Sequence, residues 1–373
     1  MMEKLKTALV GVGKVTDLHA QALQNISNSH FTAVCSRSQE KANQFGSKYQ
    51  VKGYDDVGKM AHQEKLDVVL ICTPHPAHKE PAIAAMEAGA HVLIEKPLAS
   101  SLEDCDAMLE VSKKTGKQIG VICQRRWYPP SQRIREAIDQ GKIGTPALGT
   151  INMLGWRDQT YYDSDPWRGS WDGEGGGVLV NQAPHQLDLL LWYMGEVDTV
   201  FGLWANLNHS YIEVEDTALA IIRFKNGGIG NIIVSNSQKP GIYGKVQVHG
   251  DSGYSVGVQT DGGAMFIAGM SNIQEPPVND LWSIPGEEKN LEKWKKEDTD
   301  LFSRINPMEY FHQLQIGAFV DDILAGRKHL VDGEAGRRTV ELFTGIYRSQ
   351  RDQKPLSFPL SPEADGTFDG RKS

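Results

Sequence analysis

The sequence is poor in cysteine, has no long apolar run and carries no excess of basic charge. Its cysteines, Cys35, Cys72, Cys105 and Cys123, lie in apolar segments without a CxxC pair or ligand spacing. That pattern excludes a disulfide framework and fits buried thiols in a reducing compartment, so a cytoplasmic protein is expected. No His-containing motif accompanies any of them, which argues against a cysteine nucleophile. Apolar stretches such as 67–72 are far too short to span a bilayer, and the first residues lead into a strand rather than a signal peptide, so no membrane association is expected. The net charge of -8 is made of both signs mixed along the chain, which leaves no basic stripe for a phosphate backbone and no nucleic-acid partner.

What is present is enough for two cores: 373 residues at 40% hydrophobic content. From residue 5 to about 124, short apolar strands (6–10, 31–36, 67–73, 91–95, 118–123) alternate with helical patterns (18–25, 39–49, 81–88), as in parallel βαβ units. The helix at 81–88 is read as starting on Pro81, and Ser100 with Glu103 reads as a capping box opening another. After Arg126 a loop rich in Gly, Trp, Tyr and Asp is followed by a buried helix at 183–194. Strands then predominate at 199–205, 217–224, 229–235 and 245–249, their alternation suiting an antiparallel sheet. Two late helices, 307–325 and 333–348, are assigned to the second domain. The fold class is therefore α/β, with a doubly wound Rossmann-type sheet over 1–124, a second α/β domain over 125–360, and a polar tail over 361–373.

The run Leu9-Val-Gly-Val-Gly-Lys-Val-Thr16 joins the first strand to the first helix, where a dinucleotide pyrophosphate meets helix N–H groups. Gly11 allows the tight turn, Gly13 allows close approach, and Lys14 and Val15 complete the loop. Thr16 stands where the fingerprint has its third glycine. At the end of the second strand an acidic residue would bind adenosine ribose; Ser36-Arg37 suits a 2′-phosphate and NADP(H) instead. If Arg37 only stacks on adenine or points to solvent, NAD(H) remains usable.

Three further segments, Thr73-Pro74 with His78, His91-Val-Leu-Ile-Glu-Lys-Pro97, and Glu174-Gly-Gly-Gly-Val-Leu-Val-Asn-Gln-Ala-Pro-His-Gln-Leu-Asp188, resemble in order the Gfo/Idh/MocA family (glucose-fructose oxidoreductase, inositol dehydrogenase and rhizopine catabolism proteins). The 332–343 segment is similar to that family's last helix. The resemblance implies an NAD(P)-dependent oxidoreductase that moves a hydride to or from a carbinol of a sugar, sugar derivative or cyclitol. It also implies a large open, mostly antiparallel C-terminal sheet used for homo-oligomer contacts. Lys96, at a strand end before Pro97, is expected as general base. His185, read as one helical turn after Asn181, shares proton transfer; Asn181, Asp188, Arg125 and Tyr162 are expected to bind substrate, with Tyr161 and Asp163 near them. Thr73, Pro74, His78, Glu95, Lys96, Trp167 and Arg168 are expected beside the cofactor. Asn181 departs from the family pattern, which commonly has aspartate there. His75 and His78 lack partners at ligand spacing, so no metal is expected. Other readings are an enzyme of the same fold that uses tightly held NAD for transient oxidation, such as a lyase or glycosidase, and a dinucleotide-binding sensor.

Overall fold

The computed structural model describes residues 4–239, 241–262 and 275–363, so the expected tail lies outside the described residues beyond 363. The chain forms two compact units, Met1–Gln124 with Asn306–Arg337, and Arg125–Ile305 with Arg338–Ser373.

The first unit is built on six parallel strands: β1 (Leu5–Val10), β2 (Ser29–Cys35), β3 (Lys52–Tyr54), β4 (Val68–Ile71), β5 (His91–Ile94) and β6 (Ile119–Val121). Their order is β3-β2-β1-β4-β5-β6, so the direction of winding reverses between β1 and β4. Ligands of open α/β sheets bind outside the strand C-termini at such a reversal. Val68, Val69, Leu70 and Ile71 are all buried, as a strand covered on both faces requires. β3 escapes a periodicity reading, because Lys-Gly-Tyr is too short to show an alternation; the helix Val57–Glu64 follows it. The helix at Pro81 begins two residues earlier, at Lys79; a proline in the first turn still lacks only an N–H that the helix would not use.

One expected assignment changes. The helix Pro307–Leu324 belongs to the first unit, not the second. Its Ile316, Phe319 and Val320 share a core with Leu9, Leu23, Ile26 and Phe31. Gln315 fastens it to the sheet edge, donating to the Val121 carbonyl at 2.7 Å and accepting from the Cys123 N–H at 2.8 Å.

The second unit carries eight strands: β7 (Pro146–Leu154), β8 (Val197–Ala205), β9 (Thr217–Phe224), β10 (Ile229–Ser235), β11 (Tyr243–Gly250), β12 (Ser255–Gly262), β13 (Val278–Trp282) and β14 (Leu356–Ser357). Their order is β13-β12-β11-β7-β10-β9-β8-β14, antiparallel throughout except for the parallel pair β7 and β10. β9 shows the logic of a sheet covered on one side: Ala218, Ala220, Ile222 and Phe224 are buried, while Leu219, Ile221 and Arg223 are exposed. The covered face meets helices closely. A Cβ on Gly149 would lie 2.7 Å from Leu190 and Met194 of the helix Pro184–Met194, and one on Gly202 would lie 2.8 Å from Ile346.

Candidate active site

In the first unit, the β1 turn has the shape a dinucleotide needs. Gly11 adopts φ +109°, and a Cβ there would sit 2.6 Å from the Cys72 carbonyl, so only glycine lets the turn pass over the end of β4. A Cβ on Gly13 would meet nothing within 4 Å, which leaves space above the turn. The helix Thr16–Asn25 follows with Val15 at its N-cap, which supplies no side-chain cap, and its acidic first-turn residue, Asp17, is turned aside to Lys48 and Tyr49 at 2.6 Å each. Gly13, Lys14 and Val15 are exposed. These residues fit a pyrophosphate held by helix-end N–H groups.

Lys96 follows β5 on the same sheet edge and is partly buried, and its peptide bond to Pro97 is cis. Its backbone N–H donates to Glu95 Oε2 at 3.1 Å, and Glu95 Oε1 accepts from His19 Nε2 at 2.6 Å. His312, from Pro307–Leu324, stands edge-on to His19 with ring centres 5.6 Å apart and donates from Nδ1 to the Met308 carbonyl at 2.6 Å. Burial opposes the Glu95 charge, but the His19 bond and charge, with the charges of His312 and Lys96, hold its carboxyl at about 2. Burial likewise opposes protonation of His19, yet the Cys72 sulfur and Glu95 raise its imidazole to about 10. His312 is held at about 4 by burial and by the His19 and Lys96 charges, against the pull of Glu95. A charged His19–Glu95 pair with a neutral His312 beside it thus underlies the lysine.

His78, expected beside the cofactor ribose, is fully buried instead and ties two backbone segments. Its Nδ1 lies 3.0 Å from the Pro97 carbonyl and its Nε2 2.9 Å from that of Thr73. Thr73 itself donates to the Ala77 carbonyl at 2.8 Å, and Pro74 is exposed. At the end of β2, Ser36 is partly buried and Arg37 exposed. The neighbouring β3 ends in the exposed pair Asp55-Asp56; burial, then the charges of Asp56 and Asp55, push the Cys35 thiol up to about 12, so their negative field reaches the tip of β2.

In the second unit the expected single helical face through Asn181, His185 and Asp188 is broken. Asn181 ends a single turn, Val178–Asn181, and His185 and Asp188 belong to a new helix that starts at Pro184. Asp188 is a correction too: its oxygens accept from Arg126 Nε at 2.8 Å and Nη2 at 2.6 Å, with both side chains at most 5% exposed. A bidentate buried pair of this kind is an internal clamp rather than a grip on a sugar hydroxyl. Arg125 reaches Thr260 Oγ1 at 2.8 Å, and Gln186 donates to the same oxygen at 3.2 Å. His185 is buried at 9% exposure.

The turn that carries Asn181 is fixed by two buried carboxylates. Glu215 Oε2 accepts from the Gly177 N–H at 2.9 Å, and its Oε1 from the Leu179 N–H at 3.0 Å and the Tyr347 hydroxyl at 2.7 Å. A Cβ on Gly177 would fall 1.8 Å from the Glu215 carbonyl, which explains the last glycine of the run. Glu174 accepts from the Gly169 N–H at 2.7 Å and from Asn181 Nδ2. The Tyr161 hydroxyl oxygen accepts from Asn181 Nδ2 at 3.1 Å, from Gln182 Nε2 at 2.9 Å and from Arg168 Nη1. Arg168 also pairs with Asp165 at 3.1 Å and lies over the rings of Tyr161 and Trp167, 4.3 and 4.4 Å from their centres. Tyr162 is buried among Tyr161, His209 and Tyr211, and burial, then Glu174, pushes its phenol above the ordinary range. Asp163 is exposed. All four cysteines are free and buried, no helix among the described residues is long and apolar enough to cross a membrane, and no group of three or more His, Cys, Asp and Glu among them is placed to hold a metal.

Residues 5–123 match the model of an oxidoreductase family with an NAD-binding Rossmann fold, and residues 131–256 match the GFO/IDH/MocA C-terminal domain. The chain belongs to the Gfo/Idh/MocA oxidoreductase family. It is similar to myo-inositol 2-dehydrogenase of Thermotoga maritima, 29% identical over 257 residues that cover 67% of this chain and 74% of the relative. D-glucoside 3-dehydrogenase of Escherichia coli is 30% identical, over 60% of this chain and 68% of the relative. The WlbA dehydrogenase from Bordetella pertussis, solved in complex with NADH and UDP-GlcNAcA, superposes with a TM-score of 0.84 at 28% identity, covering 96% of this chain and 99% of that one.

Within this Gfo/Idh/MocA frame, sequence reasoning missed His19, His312, Glu174, Glu215 and Arg126. His19 carries a signal in retrospect, being one turn after Thr16 on the buried face of its helix. Glu174 stands at the head of a glycine run, where a charge has few reasons to be. His312 has no local signal for this role, since His19, Glu95 and Lys96, the groups it faces, are all more than 200 residues away along the chain.

Proposed function

We propose that the chain is an NAD(H)-dependent dehydrogenase of a secondary or anomeric carbinol on a sugar, sugar derivative or cyclitol. The observation that carries this is Lys96: an amine on the sheet edge that bears the dinucleotide turn, its backbone held by a buried, charge-paired carboxylate. The dinucleotide, when bound, supplies the hydride acceptor for oxidation and the donor for the reverse reaction. Lys96 takes the proton that leaves the carbinol hydroxyl, and Glu95 with His19 keeps its backbone in register. His185 and Asn181 hydrogen-bond substrate hydroxyls. The named relatives, all acting on or bound to sugars or cyclitols, support the substrate class. NAD(H) is chosen over NADP(H) because Asp55 and Asp56 set negative charge beside the ribose end of β2, which Arg37 only partly offsets. The buried thiols support a reducing, cytoplasmic setting.

The test is NAD+ reduction across a panel of myo-inositol, D-glucose and UDP-GlcNAcA by wild type and Lys96→Ala. A loss of about 10²- to 10⁴-fold with unchanged NADH affinity is expected for a general base. A matching collapse of NADH binding would make Lys96 a cofactor anchor, and wild-type turnover without accumulating NADH would favour transient oxidation.

A homo-oligomer formed through the outer face of the second sheet completes the proposal. Rows Phe201–Ile221–Asn231 and Leu203–Leu219–Ile233 cross that face, and Ile221 is 64% exposed. An apolar patch of this kind calls for a cover, and a second copy offers the same patch. Sedimentation of Ile221→Glu as a smaller species than wild type is expected; identical masses would remove the interface.

A further inference from the structure

Glu174 sits at the end of the single turn Trp171–Glu174, with about 1% of its surface exposed. One carboxyl oxygen is used by the Gly169 N–H at 2.7 Å, and the other accepts from Asn181 Nδ2. Asn181 Nδ2 spends its second hydrogen on the Tyr161 oxygen at 3.1 Å. Gln182 reinforces this polarity, because its Oε1 accepts from Asn236 Nδ2 at 2.8 Å and its own nitrogen is thereby turned to Tyr161 at 2.9 Å. An amide oxygen in place of Asn181 Nδ2 would face a carboxylate, lone pair against lone pair.

We infer that Glu174 is a positioning residue: as a buried carboxylate it holds the Asn181 amide with nitrogen inward, so that Asn181 meets a substrate hydroxyl as a hydrogen-bond acceptor through Oδ1. This deepens the dehydrogenase reading and rests on it for the role of Asn181. The carboxylate of this corner of the site stands at position 174, one hydrogen bond behind position 181. An aspartate at 181 would put two carboxylates in hydrogen-bond contact inside the protein, where one of them must keep a proton. The balance is already close: burial, with some push from Glu215, lifts the Glu174 carboxyl to about 7 against the Gly169, Asn181 and Arg168 interactions that lower it. The groups that face it are Arg168, Tyr161 and Glu215, so below that pH the Asn181 amide loses its fixed polarity and substrate affinity falls.

The test is a cycle of Asn181→Asp, Glu174→Gln and the double variant. Asn181→Asp forces one of the two buried carboxyls to keep a proton and takes away the amide hydrogen that reaches Tyr161. Glu174→Gln can satisfy the Gly169 N–H or the Asn181 N–H but not both, since one arm of its amide is a donor. In the double variant, the new amide at position 174 accepts from the Gly169 N–H through its oxygen and donates through its nitrogen to the new carboxylate at position 181, so both of these contacts are kept. With myo-inositol and UDP-GlcNAcA as probes, each single variant is expected to raise KM or lower kcat/KM by about tenfold or more, and the double variant to recover to within about threefold of wild type. NADH affinity, read by fluorescence, is expected to stay constant across all four proteins. Single losses that simply multiply in the double variant, or an Asn181→Asp enzyme as good as wild type, would overturn the proposal. The same cycle read by thermal unfolding needs no substrate: Asn181→Asp lowers Tm and the second substitution restores it, and absence of that restoration overturns the Glu174–Asn181 coupling even if Lys96→Ala behaves as a base deletion. Wild-type inactivity on every probe, with the thermal cycle intact, would sink the dehydrogenase reading alone.

Discussion

His19 Nε2 lies 2.6 Å from Glu95 Oε1, and the other oxygen of that carboxylate takes the backbone N–H of Lys96 at 3.1 Å. The helix that follows the dinucleotide turn and the lysine turn, far apart in sequence, are thereby joined by one buried ion pair.

Removing the imidazole strands a carboxylate that is 13% exposed. His19→Ala is expected to cost about 3–5 kcal/mol of unfolding free energy, the usual penalty for breaking a buried pair from one side. Urea denaturation measures it, and a loss below about 1 kcal/mol would show that the pair contributes little. The sign with pH follows from both partners. His19, raised from 6.5 to about 10, contributes fully below 6.5 and loses its contribution as pH rises through about 10. Glu95, lowered from 4.5 to about 2, contributes above 4.5 and loses its contribution as pH falls through about 2. The pair is strongest between pH 4.5 and 6.5.

His312 acts in the opposite sense. Its folded imidazole takes a proton only near 4, while the unfolded one does so at 6.5, so the unfolded state binds more protons as pH drops between those values and stability falls. At about 1.4 kcal/mol per unit, the effect is on the order of 3 kcal/mol. His312→Asn is expected to flatten the denaturation midpoint between pH 6.5 and 4. A slope identical to wild type would assign the acid sensitivity to other groups.

Gly11→Ala and Gly13→Ala separate folding from cofactor binding. The first drives a Cβ to 2.6 Å from the Cys72 carbonyl at φ +109°, and a poorly folded or strongly destabilised protein is expected. The second meets nothing within 4 Å in the protein, so a normal Tm with weakened NADH binding is expected. Unchanged NADH affinity in Gly13→Ala would remove the pyrophosphate from this turn.

The proposed NAD(H) preference rests on opposing charges at the end of β2, Arg37 against Asp55 and Asp56. Arg37→Ala is expected to weaken NADP(H) more than NAD(H), whereas Asp55→Asn strengthens NADP(H) by relieving repulsion of a 2′-phosphate. Titration of both cofactors against both variants checks this, and equal shifts would mean that neither side chain faces the ribose.

The first sheet was legible because β4 is an unbroken apolar run, Val68–Ile71, and the apolar end of β1 leads straight into the turn residue Gly11. β3 was not, since three residues with a central glycine show no period. In the site, Lys96 and His185 are expected from motif order, and their roles are those proposed above. The commitment of Asp188 to Arg126, and of His78 to the Pro97 carbonyl, could not be read that way, because hydrogen-bond saturation depends on partners 62 residues away in one case and 19 in the other. The break between Asn181 and His185 was written in Pro184, which lacks the N–H needed to continue the preceding turn, but the apolar run around it masked the signal.

The return of Pro307–Leu324 to the first unit bears on biosynthesis. Leu23, Ile26 and Phe31 emerge from the ribosome nearly 300 residues ahead of Ile316 and Phe319, the side chains that close their core. During translation the nascent nucleotide-binding sheet must wait with one apolar flank open, a natural client surface for a chaperone. A fragment truncated at residue 124 would therefore expose that flank permanently and aggregate rather than fold as an autonomous module.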